Sequence, residues 1–366
     1  MAITKIDWND ASALIDGYTP QELYTGWEKV ETLPKFFSGT LINKDTKYHT
    51  TKKFSFDIKD ERATVPTYCT PKSMTSLVEF DGYETVESTT PYINEGFELT
   101  VDDFETRPFG ISATEYGKLS MQQRVALAMM DKDLKMKKRL AAIAEVQLAE
   151  QLQTGIIPVS GKDVDLEISV RMAADHLVTL TGTARWTEAS SIGTRLASIL
   201  TECKKIRDDR GGVATDIYMD SLSYANLVAD PQFFDRLNRR RTPEGTYDPK
   251  MIDGSGFIQN MGTLDLEGWS LNLWVNSAVY TSSAGVETPY IKPHTYILLN
   301  RNAPFRQHYG RIDNMKAWGL GMDTADVFTY TKVDPDGKWM RKVYESAPVV
   351  ACEDMSGVVT VTTTTA

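Results

Sequence analysis

The chain has 366 residues, 41% of them hydrophobic and 25% charged, with a formal net charge of -10. It is long enough to bury a large core and to divide into two or more domains, and its acidity argues against a nucleic-acid reader that works by neutralising phosphates. Cys69, Cys203 and Cys352 are far apart and lack CxxC spacing, so they suggest neither a zinc site nor a disulfide framework. The start of the chain lacks a basic stretch followed by an apolar run, and nowhere are there eighteen consecutive apolar residues. Synthesis in a cytoplasm without a membrane span is expected.

Residues 1–34 carry isolated apolar anchors, among them Trp8, Tyr18 and Trp27, separated by polar spacers. Such a segment is too sparse for a core of its own and is expected to be an arm held by neighbours. Residues 50–101 alternate apolar and polar positions with period two. Phe54, Phe56 and Ile58 share one face, and TSLVEFDGYETVES, with Phe80 and Tyr83, and YINEGFELTV continue the pattern. Two readings fit: a long two-stranded excursion lying on another subunit, or two strands of a larger sheet. In the first, deleting residues 66–90 would leave a folded subunit.

Ser120–Gln153 holds no Gly or Pro and reads as one helix of about 50 Å at about 1.5 Å per residue. Val125, Met129, Met136, Leu140 and Ile143 form one apolar ridge; Leu127, Met130, Leu134, Ala141, Leu148 and Leu152 form a second, nearly opposite. Arg124, Asp131, Lys132, Lys135, Lys138, Arg139 and Glu150 take the remaining face. The pattern predicts a helix packed from two sides.

TGIIPVSGKDVDLEISV then reads as a turn and two strands, with Val164 to Val170 alternating. SIGTRLASILTECKKIRDDRGG is a helix with Gly211 as its stop, VATDIYMD a short strand, and SLSYANLVADPQFFDRLNRRR one or two helices broken near Pro231. Arg236, Arg239, Arg240 and Arg241 close that segment; such a run could bind a polyanion, but more often it complements a helix C-terminus and pairs with acidic neighbours, including those of other subunits. Strands follow from Ser270, the last pair turning at Asp334-Pro335-Asp336-Gly337, and a terminal Val/Thr run reads as an edge strand or tail. Trp269, Trp274, Trp318 and Trp339 fall in strand patterns as core or interface anchors. The class is α+β, with helices and strands segregated.

Little chemistry is visible. His49, His176, His294 and His308 lack metal-ligand spacing, and Asp175-His176, where a carboxylate adjoins an imidazole, reads as surface or packing. No GxSxG, Walker loop or GxGxxG precedes a helix, so no catalytic, cofactor or metal residue is assigned.

The order of segments, together with EVQLAEQLQTGIIPVSG, DIYMDSLSYANLVADPQFFDRLNRRRTPEG and KWMRKVYESAPVVACEDMSGVVTV, resembles the major capsid protein of tailed phages, with the lambda-type capsid protein E family the closest likeness. The resemblance implies the Hong Kong 97 capsid fold: an N-terminal arm at 1–34, an extended β-hairpin loop and its base strands at 35–110, and a peripheral domain at 111–184 containing the spine helix 120–153. It further implies an axial domain at 185–330 and closing peripheral strands with a C-terminal tail at 331–366. The implied function is a non-enzymatic shell that assembles itself as hexamers and pentamers around double-stranded DNA in a phage head. Scaffolding protein, portal and a decoration protein are the implied partners, DNA is packaged without sequence-specific binding, and neither cofactor nor membrane is implied. Assembly contacts are expected at Trp8, Tyr18, Trp27, Phe54, Phe56, Phe80, Tyr83, Lys132, Lys135, Arg139, Arg236, Arg239, Arg240 and Arg241. The alternatives are an encapsulin-like compartment shell and, from another class, a β-rich tail adhesin or carbohydrate-active enzyme.

Overall fold

The computed structural model describes residues 36–58, 83–106, 108, 111, 113–161, 164–237, 250–251, 257–282 and 285–364. At its centre is a seven-stranded mixed sheet in the order Leu177–Thr179, Val358–Thr362, Thr295–Leu299, Asp216–Met219, Trp269–Asn276, Ile258–Leu266, Lys250–Met251. Three of its five inner strands, Val358–Thr362, Thr295–Leu299 and Asp216–Met219, carry apolar side chains on both faces, because successive side chains point to opposite sides and both sides are covered. Tyr218, Ile297, Leu299 and Val358 face one cluster, while Ile217, Met219, Tyr296, Leu298, Val359 and Val361 face the other. The helix Arg195–Asp208 covers the second face with Leu196, Ile199, Leu200, Cys203 and Ile206. On the first lie Leu148, Ala149 and Leu152 of the long helix, the short helix Phe36–Leu41 and the paired strands Phe305–Tyr309 and Pro348–Cys352.

The long helix runs Met121–Thr154, within a residue of the range read from sequence. Ser120 caps it reciprocally: its hydroxyl accepts from the Gln123 N–H at 3.3 Å, and its own N–H donates to the Gln123 side chain at 2.9 Å. Gly155, at φ 69°, ends it in the left-handed conformation that a Cβ disfavours. Its first half packs Val125, Ala128 and Met129 against Phe104 of the short helix Val101–Glu105 and against Leu99 and Met340 of a separate three-stranded sheet of Ile93–Thr100, Trp339–Ser346 and Phe328–Val333. The two apolar ridges are real but unequal. Met129 and Leu148 are buried, whereas Leu127, Met130, Leu134 and Ala141 are only half-buried.

Several expectations need correction. The terminal Val/Thr run is neither edge nor tail: Val358–Thr362 pairs with Thr295–Leu299 on one side and Leu177–Thr179 on the other, and its β-branched side chains fit a strand buried on both faces. Within the 50–101 excursion, Lys53–Ile58 does pair with Glu84–Thr89, but Ile93–Thr100 joins Trp339–Ser346 instead. Since Val86 lies in the main core, a deletion of 66–90 would remove core surface, not only a projecting loop. Trp318 sits on the short helix Met315–Gly319, not a strand. Gly211 does follow the helix it was expected to stop, but its role is close approach. A Cβ there would lie 2.1 Å from the Ser356 carbonyl oxygen, while the left-handed conformations belong to Arg210 and Gly212.

Strand pairing also crosses the boundaries read from sequence. Leu177–Thr179 and Val358–Thr362 share a sheet with strands of 185–330, and Phe305–Tyr309 and Phe328–Val333 pair with strands of 331–366. Sheets collect strands by pairing rather than by order, so linear boundaries cut through them.

Candidate assembly site

Lys132, Lys135 and Arg139 lie in the middle of the long helix, where i, i+3/i+4 spacing puts them on one side. Lys132 donates to Asp103 Oδ1 and to the Glu98 carbonyl, both at 2.8 Å, and Lys135 pairs with Asp131 at 2.8 Å. Arg139 grips the Glu95 carboxylate through Nε at 3.2 Å and Nη2 at 2.9 Å. Burial would raise the Asp103 carboxyl, but Lys132 and the Thr100 N–H and hydroxyl outweigh it and hold the group below the usual carboxylate range. Lys132 and Arg139 therefore fasten the helix to Ile93–Thr100 and the helix after it, Val101–Glu105, within one subunit, while the Lys135 pair lies within the helix itself. The Arg139 pair remains mostly exposed and contributes well under about 1 kcal/mol.

Phe54 and Phe56 are turned inward, at 0% and 4% exposure, with Phe54 5.3 Å and Phe56 6.5 Å from the His308 ring. Their rings are used inside the subunit. Tyr83, by contrast, is 70% exposed, next to Glu84 at the end of the strand pair where Ile58 and Glu84 face each other. Arg236 is exposed in the last turn of the helix Phe233–Arg236. Trp8, Tyr18, Trp27, Phe80, Arg239, Arg240 and Arg241 lie outside the described residues.

His308 is fully buried, its Nδ1 3.1 Å from His49 Nε2. Burial, reinforced by His49, Lys47 and Arg306, pushes its value from 6.5 down to about 3. The unfolded chain thus takes up a proton below pH 6.5 that the folded chain refuses. Stability from this group is full above that pH and falls as pH drops toward 3, by at most about 1.4 kcal/mol per pH unit. Urea midpoints of a His308→Phe variant are expected to decline less steeply than those of the parent between pH 6.5 and about 4.5. Parallel slopes would show that the ring is not held neutral.

Two features escaped the sequence reading. First, four polar residues of the long helix are buried: Glu145, Gln147, Gln151 and Gln153. Glu145 accepts from the N–H groups of Phe37 and Ser38 at 2.9 and 3.0 Å, capping the helix Phe36–Leu41. Gln147 accepts from the Val350 N–H and donates to the Pro348 carbonyl, and Gln151 accepts from the Cys352 N–H and donates to the Val350 carbonyl. Two side-chain amides one helical turn apart thereby act as a neighbouring strand and close the outer edge of Pro348–Cys352. The only sequence signal was the four-residue spacing of the two glutamines. Second, Met315, Trp318, Leu320 and Met322 expose apolar surface within eight residues, Met315 at 89% and Leu320 at 69%. Arg311 stacks 4.8 Å over the Trp318 ring. The strand pattern assumed for Trp318 hid this segment.

Among the described residues, Asp175, His176 and Asp209 bring together three potential metal-ligand atoms, and no helix is long and apolar enough to cross a membrane.

The architecture is a long helix braced between a central mixed sheet and a second smaller sheet, with a β-hairpin at its flank. The capsid protein of a prophage of E. coli CFT073 shares it, at a TM-score of 0.60 and 18% identity over 76% of this chain and 79% of that one. The mature capsid subunit of bacteriophage PhiM1 aligns at a TM-score of 0.46 and 12% identity over 92% and 89%, and the SrpI encapsulin of Synechococcus elongatus PCC 7942 at 0.44 and 9% over 98% and 96%. No curated protein sequence matches the chain.

The family described as phage major capsid protein E matches residues 19–363, and the chain belongs to it. The fold is the Hong Kong 97-like α+β capsid fold, and the protein is a structural shell component of the phage head. The family is one of shell proteins and not of enzymes, which sets the carbohydrate-active alternative aside.

Proposed function

We propose that this chain assembles as hexamers and pentamers into an icosahedral head that encloses double-stranded DNA. The reading rests on membership of the capsid protein E family across residues 19–363. In it, the seven-stranded sheet and its helices form the axial domain around the capsomer centres, and the three-stranded sheet with the first half of the long helix forms the peripheral domain. The hairpin of Lys53–Ile58 and Glu84–Thr89 roots a loop that reaches across a neighbouring subunit, with Tyr83 and the arm residues Trp8, Tyr18 and Trp27 at contacts. With a net charge of -10 the lining repels DNA on average, so packaging relies on a portal motor and counterions, and scaffolding and decoration proteins are separate chains. Each contact is ordinary in strength, and multiplicity makes the shell cooperative.

Electron microscopy of the purified protein, with scaffold supplied, is the test. Closed shells are expected; monomers and small rings under every condition would overturn the reading, and particles filled with protein cargo would mark a compartment shell instead. Replacing residues 59–82 by a short Gly-Ser turn leaves Val86, Phe54 and Phe56 in place. That variant is expected to remain a folded, soluble subunit that forms no shells; normal shells would remove the loop from the assembly contacts.

A further inference from the structure

His176 is 1% exposed, yet its Nε2 points at carboxylates. Its Nδ1 lies 2.7 Å from the carbonyl oxygen of Val358, the first residue of the inner strand Val358–Thr362. A carbonyl oxygen only accepts, so Nδ1 carries the proton and donates it. In the neutral ring Nε2 then offers its lone pair, and what stands 2.9 Å away is Asp209 Oδ2, another acceptor. Two acceptors at that distance need a shared cation, which is either a second ring proton or a metal ion. The Asp175 carboxylate converges on the same point, with one ligand atom from each of the three residues within 4.8 Å of the others.

We propose that His176 Nε2, Asp209 and Asp175 bind one divalent transition-metal ion of the zinc class. An imidazole whose far nitrogen donates to a backbone carbonyl is the arrangement that fixes a metal-ligating histidine. A nitrogen and two carboxylates suit zinc, cobalt or manganese, and water completes the coordination. Both aspartates are exposed, which gives the ion a way in. Asp209 follows the helix Arg195–Asp208 directly, where the helix's negative end adds attraction for a cation. Lys205 faces the site and works against it, but its ammonium is engaged by the Asp175 carbonyl at 2.8 Å and by Glu202 at 3.0 Å. Arg207 is turned to Asp208 at 2.9 Å.

The ion would tie three parts of the central sheet together. His176 leads directly into the edge strand Leu177–Thr179, Val358 opens the strand paired with it, and Asp209 ends the helix that covers one face. The consequence is a subunit whose resistance to unfolding depends on divalent metal.

The full chain, stripped with EDTA and desalted, is titrated with zinc by calorimetry and with cobalt by visible absorption. One ion per chain is expected, a cobalt spectrum with imidazole and carboxylate character, and a thermal midpoint that zinc raises and EDTA lowers. Asp209→Asn keeps the side-chain shape, and His176→Asn keeps an amide able to donate to Val358; each is expected to weaken binding by about tenfold or more and to remove the midpoint shift. Absence of saturable binding, or equal zinc affinity in parent and Asp209→Asn, would overturn the proposal and leave a proton as the cation that Nε2 shares with Asp209.

Discussion

Replacing Gln147 and Gln151 together by leucine is expected to cost roughly 4 kcal/mol or more and to leave little folded protein, because a domain's whole stability is about 5–15 kcal/mol. Leucine has nearly the volume of glutamine, so the loss is not a packing loss. The glutamines satisfy the Pro348 and Val350 carbonyls and the Val350 and Cys352 N–H groups, and all of Pro348–Cys352 is buried. Removing the amides strands these backbone groups away from water at roughly 1–3 kcal/mol each. The strand keeps its other partner, Phe305–Tyr309, so the damage is confined to one edge. Urea unfolding of single and double variants is the measurement. Gln151→Leu alone should cost about half as much as the double change, since it removes half of the bonds. A double variant that lost less than about 1 kcal/mol would show that water or a shifted helix closes the edge instead.

What the sequence carries well is the character of single elements. The absence of Gly and Pro from Met121 to Gln153 gave the long helix, and Asp334-Pro335-Asp336-Gly337 gave the hairpin turn, where Gly337 sits at φ 73° and donates to the Asp334 carbonyl at 2.9 Å. What it carries poorly is pairing. Period two says that Val358–Thr362 is a strand, but not that strands about sixty and more than one hundred and seventy positions away lie on either side of it. Burial of polar residues is equally invisible, because it depends on distant partners. Gln147 reads as one more surface position of a helix until Pro348, 201 positions on, is placed beside it. The candidate assembly residues show the same limit. Lys132 and Arg139 look like free charges on a helix face, and the acids that hold them, Asp103 and Glu95, come from segments whose docking no local pattern reveals. Family resemblance supplied the fold at one step, since the order of segments survives where side-chain identities do not.

The long helix is the place where one substitution should separate folding from assembly. Ala142→Pro is expected to leave a soluble subunit with most of its helix and strand content and to abolish shells. The ring removes the N–H bond to the carbonyl of residue 138 and collides with that carbonyl, at about 3 kcal/mol or more, and it kinks the helix. Either side of the kink has its own packing. Val125, Ala128 and Met129 stay with Leu99, Phe104 and Met340, while Leu148, Ala149 and Leu152 stay with the main core. Asp133 keeps its bond from Lys342 at 2.6 Å, and Gln147 and Gln151 keep theirs to Pro348–Cys352. What changes is the angle between the three-stranded sheet and the seven-stranded sheet, and a closed shell needs that angle to be the same in every copy. Circular dichroism with electron microscopy separates the outcomes. Ala142→Gly, which costs about 1 kcal/mol without a steric clash, is the control and should still form particles. Normal particles from Ala142→Pro would mean that contacts other than this helix set the relative orientation of the two sheets.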